Sequence, residues 1–472
     1  MRNFPKFIFS LNFLYILLIA AETAAIIFLC LYLPAFMPVA AVFVVIWVIS
    51  LIAVIAVAGR DGSPEINCAL ALMVIALPVA GALVYAFSVH GKKEWGTLTV
   101  TDAEPQGGLE SAAYDCCGVS GAGYDRAEYF TCGEEYFTRF FKEVEKAKKS
   151  VYLEFFIFCR GKIFTRLLAA LKTAKDNGAE IKIIVDGIGS AFKVGRRDLK
   201  RLKAVGAEVK VFHRLTPLVH TRLNYRDHRK IAVFDGRAAF TGGINVADEY
   251  ANLDSPFGYW KDTGVAVYGG AAKILEGMFL SVWNGSHTME SAEEGKYRCL
   301  PFYDSPPCRA GFCENAYATA ISSAKRRVHI FTPYFCASDK LAAALEFAAM
   351  RGVDVRIIIP HIPDKKYAFE LSKTSALPLI AKGVKFYEYT PGFMHAKSMV
   401  CDDALFIGSY NFDFRSMRLN YECGIVFHGE MCDRAERDFW ESLRLSAPLA
   451  YEKASRPRRA YRFILKLFAP LM

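Results

Sequence analysis

"MHAKSMVCDDALFIGSYNFDFRS", residues 394–416, is the stretch on which the reading of this chain turns. It begins as an apolar strand-like run, yet it carries His395 and Lys397 two positions apart, then Asp402, then Gly408-Ser409-x-Asn411. A core strand has no use for such residues, so chemistry is the first suspicion. A second copy stands upstream as "DHRKIAVFDGRAAFTGGINVADEY", residues 227–250, with His228, Lys230, Asp235 and Gly242-Gly243-x-Asn245. Residues two apart on a strand point to one face, so each His–Lys pair projects into one cleft. Small residues on the returning strand let a ligand approach the backbone.

The surroundings repeat as well. "AKKSVYLEFFIF" at 147–158 parallels "AKRRVHIFTPYF" at 324–335, and "NGAEIKIIVDG" at 177–187 parallels "RGVDVRIIIPH" at 351–361. "GAEVKVF" from Gly206 parallels "GVKFYEY" from Gly383. Each half alternates helix and strand and closes in a hairpin bearing the motif, which implies parallel-type α/β units with buried sheets. Two similar halves point to one pseudo-twofold catalytic unit with a composite site between them. Two independent sites are the alternative.

The residue types suit phosphoryl chemistry without a metal. Lys230 and Lys397, with Asn245, Asn411, Gly243 and Ser409, are the candidates to bind and stabilise non-bridging phosphate oxygens. One histidine can attack phosphorus to give a phosphohistidine. The other can protonate the departing alkoxide and later deprotonate the acceptor hydroxyl; which does which stays open. Asp235 precedes Gly236 between two apolar runs, a hairpin-turn signal, and its parity differs from that of His228. Asp235 and Asp402 therefore read as orienting or structural. Glu249 in "NVADEY" and Glu422 in "LNYE" are the candidates to hydrogen-bond an imidazole. No His/Cys spacing resembles a metal site, and neither metal nor cofactor is expected.

Composition frames this core. Of 472 residues 53% are hydrophobic and 22% charged, with apolar runs at 7–33, 35–58 and 66–88. A bilayer core needs about 20 apolar residues per helix, so three transmembrane helices and a multi-pass cell-membrane protein are expected. A cleaved signal peptide is the rival for the first run, but two more runs follow it. The 13 cysteines, an odd number, read as reduced thiols, which favours a cytoplasmic catalytic region. The +10 net charge points to anionic lipid head groups rather than nucleic acid, for which no aromatic–basic module is found. The expected organisation is a membrane region 1–96, a linker 97–130, halves 131–290 and 291–450, and a basic amphipathic tail 451–472. That tail, "SRPRRAYRFILKLFAPLM", suits an interface or a packed C-terminal helix equally.

From residue 66 onward the chain resembles a bacterial cardiolipin synthase of the phospholipase D superfamily. The resemblance rests on "NYRDHRKIAVFDG", "FTGGINVADEY", "GYWKDT", "FTPYF", "RGVDVRIIIP", "PGFMHAKSMVCDD" and "NFDFRSMRLNYE". It implies a catalytic set of His228, Lys230, Asp235, His395, Lys397 and Asp402. It also implies transfer of a phosphatidyl group between two phosphatidylglycerol molecules, giving cardiolipin and glycerol. A hydrolytic phosphodiesterase and a catalytically silent lipid-binding protein are the alternatives. The chain departs from the family in its third apolar run and in a turn after Asp402 that is one residue short, which puts the positions of Ser409 and Asn411 in question.

Overall fold

The computed structural model describes residues 37–59, 64–78 and 96–469, apart from 192, 214–224, 307–310 and 450–454, with residues 21, 24, 28 and 81 besides. The chain forms two units: residues 1–93 with 214–225 and 467–472, and residues 94–213 with 226–466.

In the first unit the described helices are Met37–Ala58 and Pro64–Ala76. The latter, of 13 residues, spans about 20 Å, short of the roughly 30 Å hydrocarbon core. Among the described residues no helix is long and apolar enough to cross a membrane. The expectation of three transmembrane helices, and of a multi-pass membrane protein with a cytoplasmic catalytic region, is corrected on that finding. Apolar content overstated continuous helix: the helix in the third run stops at Ala76, just ahead of Leu77–Pro78, because a proline disfavours helical backbone at its predecessor. Parts of the expected spans, 7–20, 29–36 and 82–88, lie outside the described residues.

The second unit carries the two repeats, each with its own sheet. The first sheet runs Arg126–Phe130, Gly264–Tyr268, Ala238–Gly242, Lys230–Phe234, Ser150–Phe155, Glu180–Asp186, Ala207–Phe212. The second repeats this order with Tyr297–Asp304, Asn420–His428, Ala404–Gly408, Ser398–Cys401, Arg327–Phe331, Asp354–Pro360 and Lys385–Tyr389. Only the last three of each series are mutually parallel; the rest pair antiparallel. The sheets are thus mixed rather than parallel throughout, since a two-stranded hairpin can only close antiparallel.

Burial explains the unbroken apolar runs. Every residue of Lys230–Phe234, Ala238–Gly242 and Gly264–Tyr268 is buried. Helix Gly133–Lys146 covers one face, with Tyr136, Phe137, Phe140, Phe141 and Val144 buried at helical spacing. At the other face the halves meet: Thr241 of one hairpin lies 3.5 Å from the Cys423 sulfur of the opposite sheet. Gly242 and Gly408 close the motif hairpins where the neighbouring strand comes nearest. A Cβ on Gly242 would stand 2.5 Å from the Thr263 oxygen, and one on Gly408 2.2 Å from that of Cys423.

Residues 97–130, expected as a linker, are part of this unit. Thr97–Thr101 pairs with Ser286–Glu290, Ala122–Tyr124 with Tyr297–Cys299, and Arg126–Phe130 with Gly264–Tyr268. Strands this short are invisible to composition because their partners lie far along the chain. The tail forms helix Arg456–Phe468. Arg458 and Arg462 bind Glu370, the latter at 3.0 Å, while Phe463 and Ile464 stay exposed.

Candidate active site

Each motif is preceded by a short strand of its own half that pairs with a strand of the other. Arg226–Asp227 pairs in parallel with Asn420–Tyr421, and Gly392–Met394 with Tyr259–Lys261. The histidines follow these strands, and their backbone amides are gripped across the halves. His228 donates to the Tyr421 carbonyl at 2.9 Å, and His395 donates to the Lys261 carbonyl at 2.7 Å.

The rings are held in the same crossed fashion. Nδ1 of His228 lies 2.9 Å from both carboxylate oxygens of Glu422. Nδ1 of His395 lies 2.6 Å from Asp262. With Nδ1 taken by a carboxylate, the lone pair available for chemistry is on Nε2. Phe156 stands edge-on to His228 at 5.0 Å, and Tyr250 and Trp260 flank His395 at 5.2 and 5.0 Å. The two histidines keep only 9% and 7% exposure.

The lysines share the buried space. Lys230 donates to the His228 carbonyl. Lys397 donates to the His395 carbonyl at 2.6 Å and lies 3.0 and 3.1 Å from the ring nitrogens. Burial disfavours charge on both: Lys230 is pushed down to about 8 and Lys397 to about 7. Burial also lowers His228 to about 4 and His395 well below the ordinary imidazole value. Asp262 is pushed up to about 7 by burial. Glu422 goes the other way, because its burial is outweighed by His228, Lys230 and the Ser409 hydroxyl. Lys397 acts on His228, and Lys230 and His228 act on His395, so the two motifs form one electrostatic cluster.

The structure distributes the remaining predicted residues differently from one another. Glu249 faces Lys193 at 3.7 Å; the place expected for it at an imidazole is taken by Asp262. Asp235 and Asp402 sit at positive φ in the hairpin turns, about 16 Å of strand beyond their lysines. Asp235 accepts the amides of Lys148, Lys149 and Ser150, and Asp402 those of Lys325, Arg326 and Arg327. Asn245 is engaged at both ends, accepting from the Ile157 amide at 3.0 Å and donating to the Tyr250 hydroxyl at 2.7 Å. Asn411 is buried with its Oδ1 unpartnered. Gly243 leaves room for a carboxylate, since a Cβ there would meet Asp262 Oδ1 at 2.1 Å. Ser409 accepts from the Cys423 amide at 3.0 Å, beside Glu422. The short turn after Asp402 is absorbed within the turn itself: Lys397 still bonds across to Gly408, in the register that sets Ile231 opposite Thr241 in the other hairpin.

Asp262 was legible only through the repeat. "KDTGVAV" from Lys261 aligns with "YECGIVF" from Tyr421, which sets Asp262 opposite Glu422.

Comparison with known proteins closes the argument. The family model described as cardiolipin synthase, PLD-like domain, matches residues 140–256 and 317–443, the two repeats. The chain belongs to that family. A Clostridium perfringens cardiolipin synthase is 33% identical over 71% of this chain and 75% of its own length. A Geobacillus cardiolipin synthase is 32% identical over 81% and 80%. An uncharacterised Streptococcus mutans protein is 38% identical over 74% and 78%. The crystal structure of Haemophilus influenzae phosphatidylserine synthase shares the fold, with a TM-score of 0.60 at 13% identity, over 77% of this chain and all of that one. As a phospholipase D-like cardiolipin synthase family member, the protein is a phosphatidyltransferase or phosphodiesterase.

Proposed function

We propose that the protein makes cardiolipin and glycerol from two phosphatidylglycerol molecules, through a covalent phosphatidyl-histidine. The observation that carries this reading is the crossed pair: two buried imidazoles, each with Nδ1 on a carboxylate of the opposite half. That arrangement presents two Nε2 atoms to one site, one for nucleophilic attack and one for proton transfer.

In the first step Nε2 of one histidine bonds to phosphorus and the bond from phosphorus to the head-group glycerol oxygen breaks. The other imidazolium gives its proton to that oxygen, and glycerol leaves. In the second step a head-group hydroxyl of another phosphatidylglycerol loses its proton to the now neutral imidazole. Its oxygen bonds to phosphorus, the phosphorus–nitrogen bond breaks, and cardiolipin is released. Lys230 and Lys397 counter the phosphate charge at each step, and the buried Asn411, whose Oδ1 is unpartnered, accepts from a substrate hydroxyl.

One phosphodiester replaces another, so the reaction is close to thermoneutral and runs backward in added glycerol. The full chain given phosphatidylglycerol vesicles is expected to yield cardiolipin and glycerol in equal amounts. Phosphatidic acid as the dominant product would replace transfer with hydrolysis.

A further inference from the structure

Three consecutive residues serve His395: Trp260 and Lys261 of the exchanged strand Tyr259–Lys261, which pairs with Gly392–Met394 of the other half, and Asp262 just past its end. The Trp260 ring packs on the imidazole, and the Lys261 carbonyl accepts the amides of His395 and Ala396 at 2.7 and 3.1 Å. Asp262 holds Nδ1. Strand alternation sends residues 260 and 262 to one side and the side chain of 261 to the other. There Lys261 Nζ donates to both oxygens of Asp438, at 2.6 and 2.8 Å, and to the Thr131 carbonyl. Asp438 also accepts from the Tyr129 hydroxyl at 2.8 Å. The Lys261 and Asp438 side chains are 6% and 4% exposed, so neither has water to fall back on.

This cluster ties three pieces together: first-half strand Arg126–Phe130, the exchanged strand, and second-half helix Glu430–Arg444. His228 is held differently. Its cross-half carbonyl belongs to Tyr421, whose ring lies 5.5 Å from the Arg229 guanidinium.

We propose that Lys261 and Asp438 are positioning residues whose buried ion pair fixes the rotation of the exchanged strand and so holds Asp262 on His395. The inference rests on the reading that both imidazoles carry out phosphodiester chemistry. It adds that one is set through a pair outside both motifs, whose two members lie 177 residues apart in sequence.

Lys261→Met strips one partner from a buried pair, whereas Lys261→Met/Asp438→Leu removes both charges and keeps the volume. Such apolar replacement is commonly tolerated in folding, so the double variant keeps the test alive should the single one fail to fold. A misplacement of about 1 Å costs about 100-fold in rate. The test uses the full chain with phosphatidylglycerol in mixed micelles, and with bis(p-nitrophenyl) phosphate, a phosphodiester lacking a lipid. Carbethoxylation of His395 and His228, read peptide by peptide by mass spectrometry, gives a readout that needs no turnover.

In both variants kcat is expected to fall about 100-fold with KM held within about twofold, and Lys261→Arg is expected to restore most of it. Carbethoxylation of His395 should quicken while that of His228 stays put. Wild-type kcat and His395 reactivity in the double variant would overturn the proposal. So would a fall in Tm with kcat per folded molecule unchanged, or equal change at both histidines. Cleavage of bis(p-nitrophenyl) phosphate without transfer from phosphatidylglycerol would instead sink the transferase reading, and the positioning of His395 would still be decided on that ester and on its carbethoxylation.

Discussion

His395, Asp262 and Lys397 form a tight buried triplet, and His228 with Glu422 and Lys230 is its counterpart. The histidines and lysines were plain in the sequence because each motif is local. Asp262 was not, because it reaches His395 across 133 residues, just past a first-half strand that pairs with the other half. Glu249 looked equivalent by type, but the chain turns through Asp248–Ala251 and sends it toward Lys193. At this scale His228→Ala and His395→Ala should each lower turnover by at least about 1,000-fold, and only one should also prevent a trapped lipid adduct. Near-normal turnover in either would remove that imidazole from the mechanism. The pH profile has a stated sign. An attacking imidazole must be neutral, and burial lowers His228 to about 4 and His395 well below the ordinary imidazole value, so whichever of them attacks, the acid limb of kcat/KM should fall below that value. A charge-stabilising ammonium must be protonated, and Lys397 loses its proton as pH rises through about 7, so activity should decline there. Lys397→Arg cannot deprotonate; whatever activity it keeps should lose that alkaline limb. An unmoved limb would assign it to another group.

Among elements, the motif hairpins were legible and the strands that feed them were not. Asp–Gly between apolar runs announced the first turn, and the repeat announced the second. The structure gives the aspartates a specific duty there, since each clamps the start of the neighbouring strand through three backbone amides. Asp402→Ala should therefore cost about 2 kcal/mol of stability while leaving kcat per folded molecule nearly unchanged. Those amides hold the Asp402 carboxyl below its ordinary value despite burial that raises it. The stabilisation is then present above the unfolded carboxylate pKa and lost as pH falls through the lower folded one, so the gap between wild type and variant should close in acid. Loss of kcat with unchanged Tm would instead put Asp402 in the chemistry. The apolar runs near the front show the opposite limit of sequence reading: hydropathy counts residues, but a proline such as Pro78 interrupts the helix at the residue before it.

Across the whole catalytic unit the repeat was visible from two motifs and three parallel segments, and the sheets repeat strand for strand. What no repeat could reveal is the exchange between halves, in which each supplies a backbone acceptor and a carboxylate to the other's histidine. Two independent sites would need each half to complete its own imidazole. Here neither does, so halves expressed separately should be inactive and regain activity only when reassembled. The most direct test is the burst of p-nitrophenol released by the full chain from a phosphatidyl p-nitrophenyl ester, which offers a good leaving group and no acceptor hydroxyl. A single composite site forming one covalent adduct predicts a burst approaching one equivalent per chain, abolished by alanine at the attacking histidine. A burst of two equivalents per chain, halved by either alanine substitution, would contradict the account.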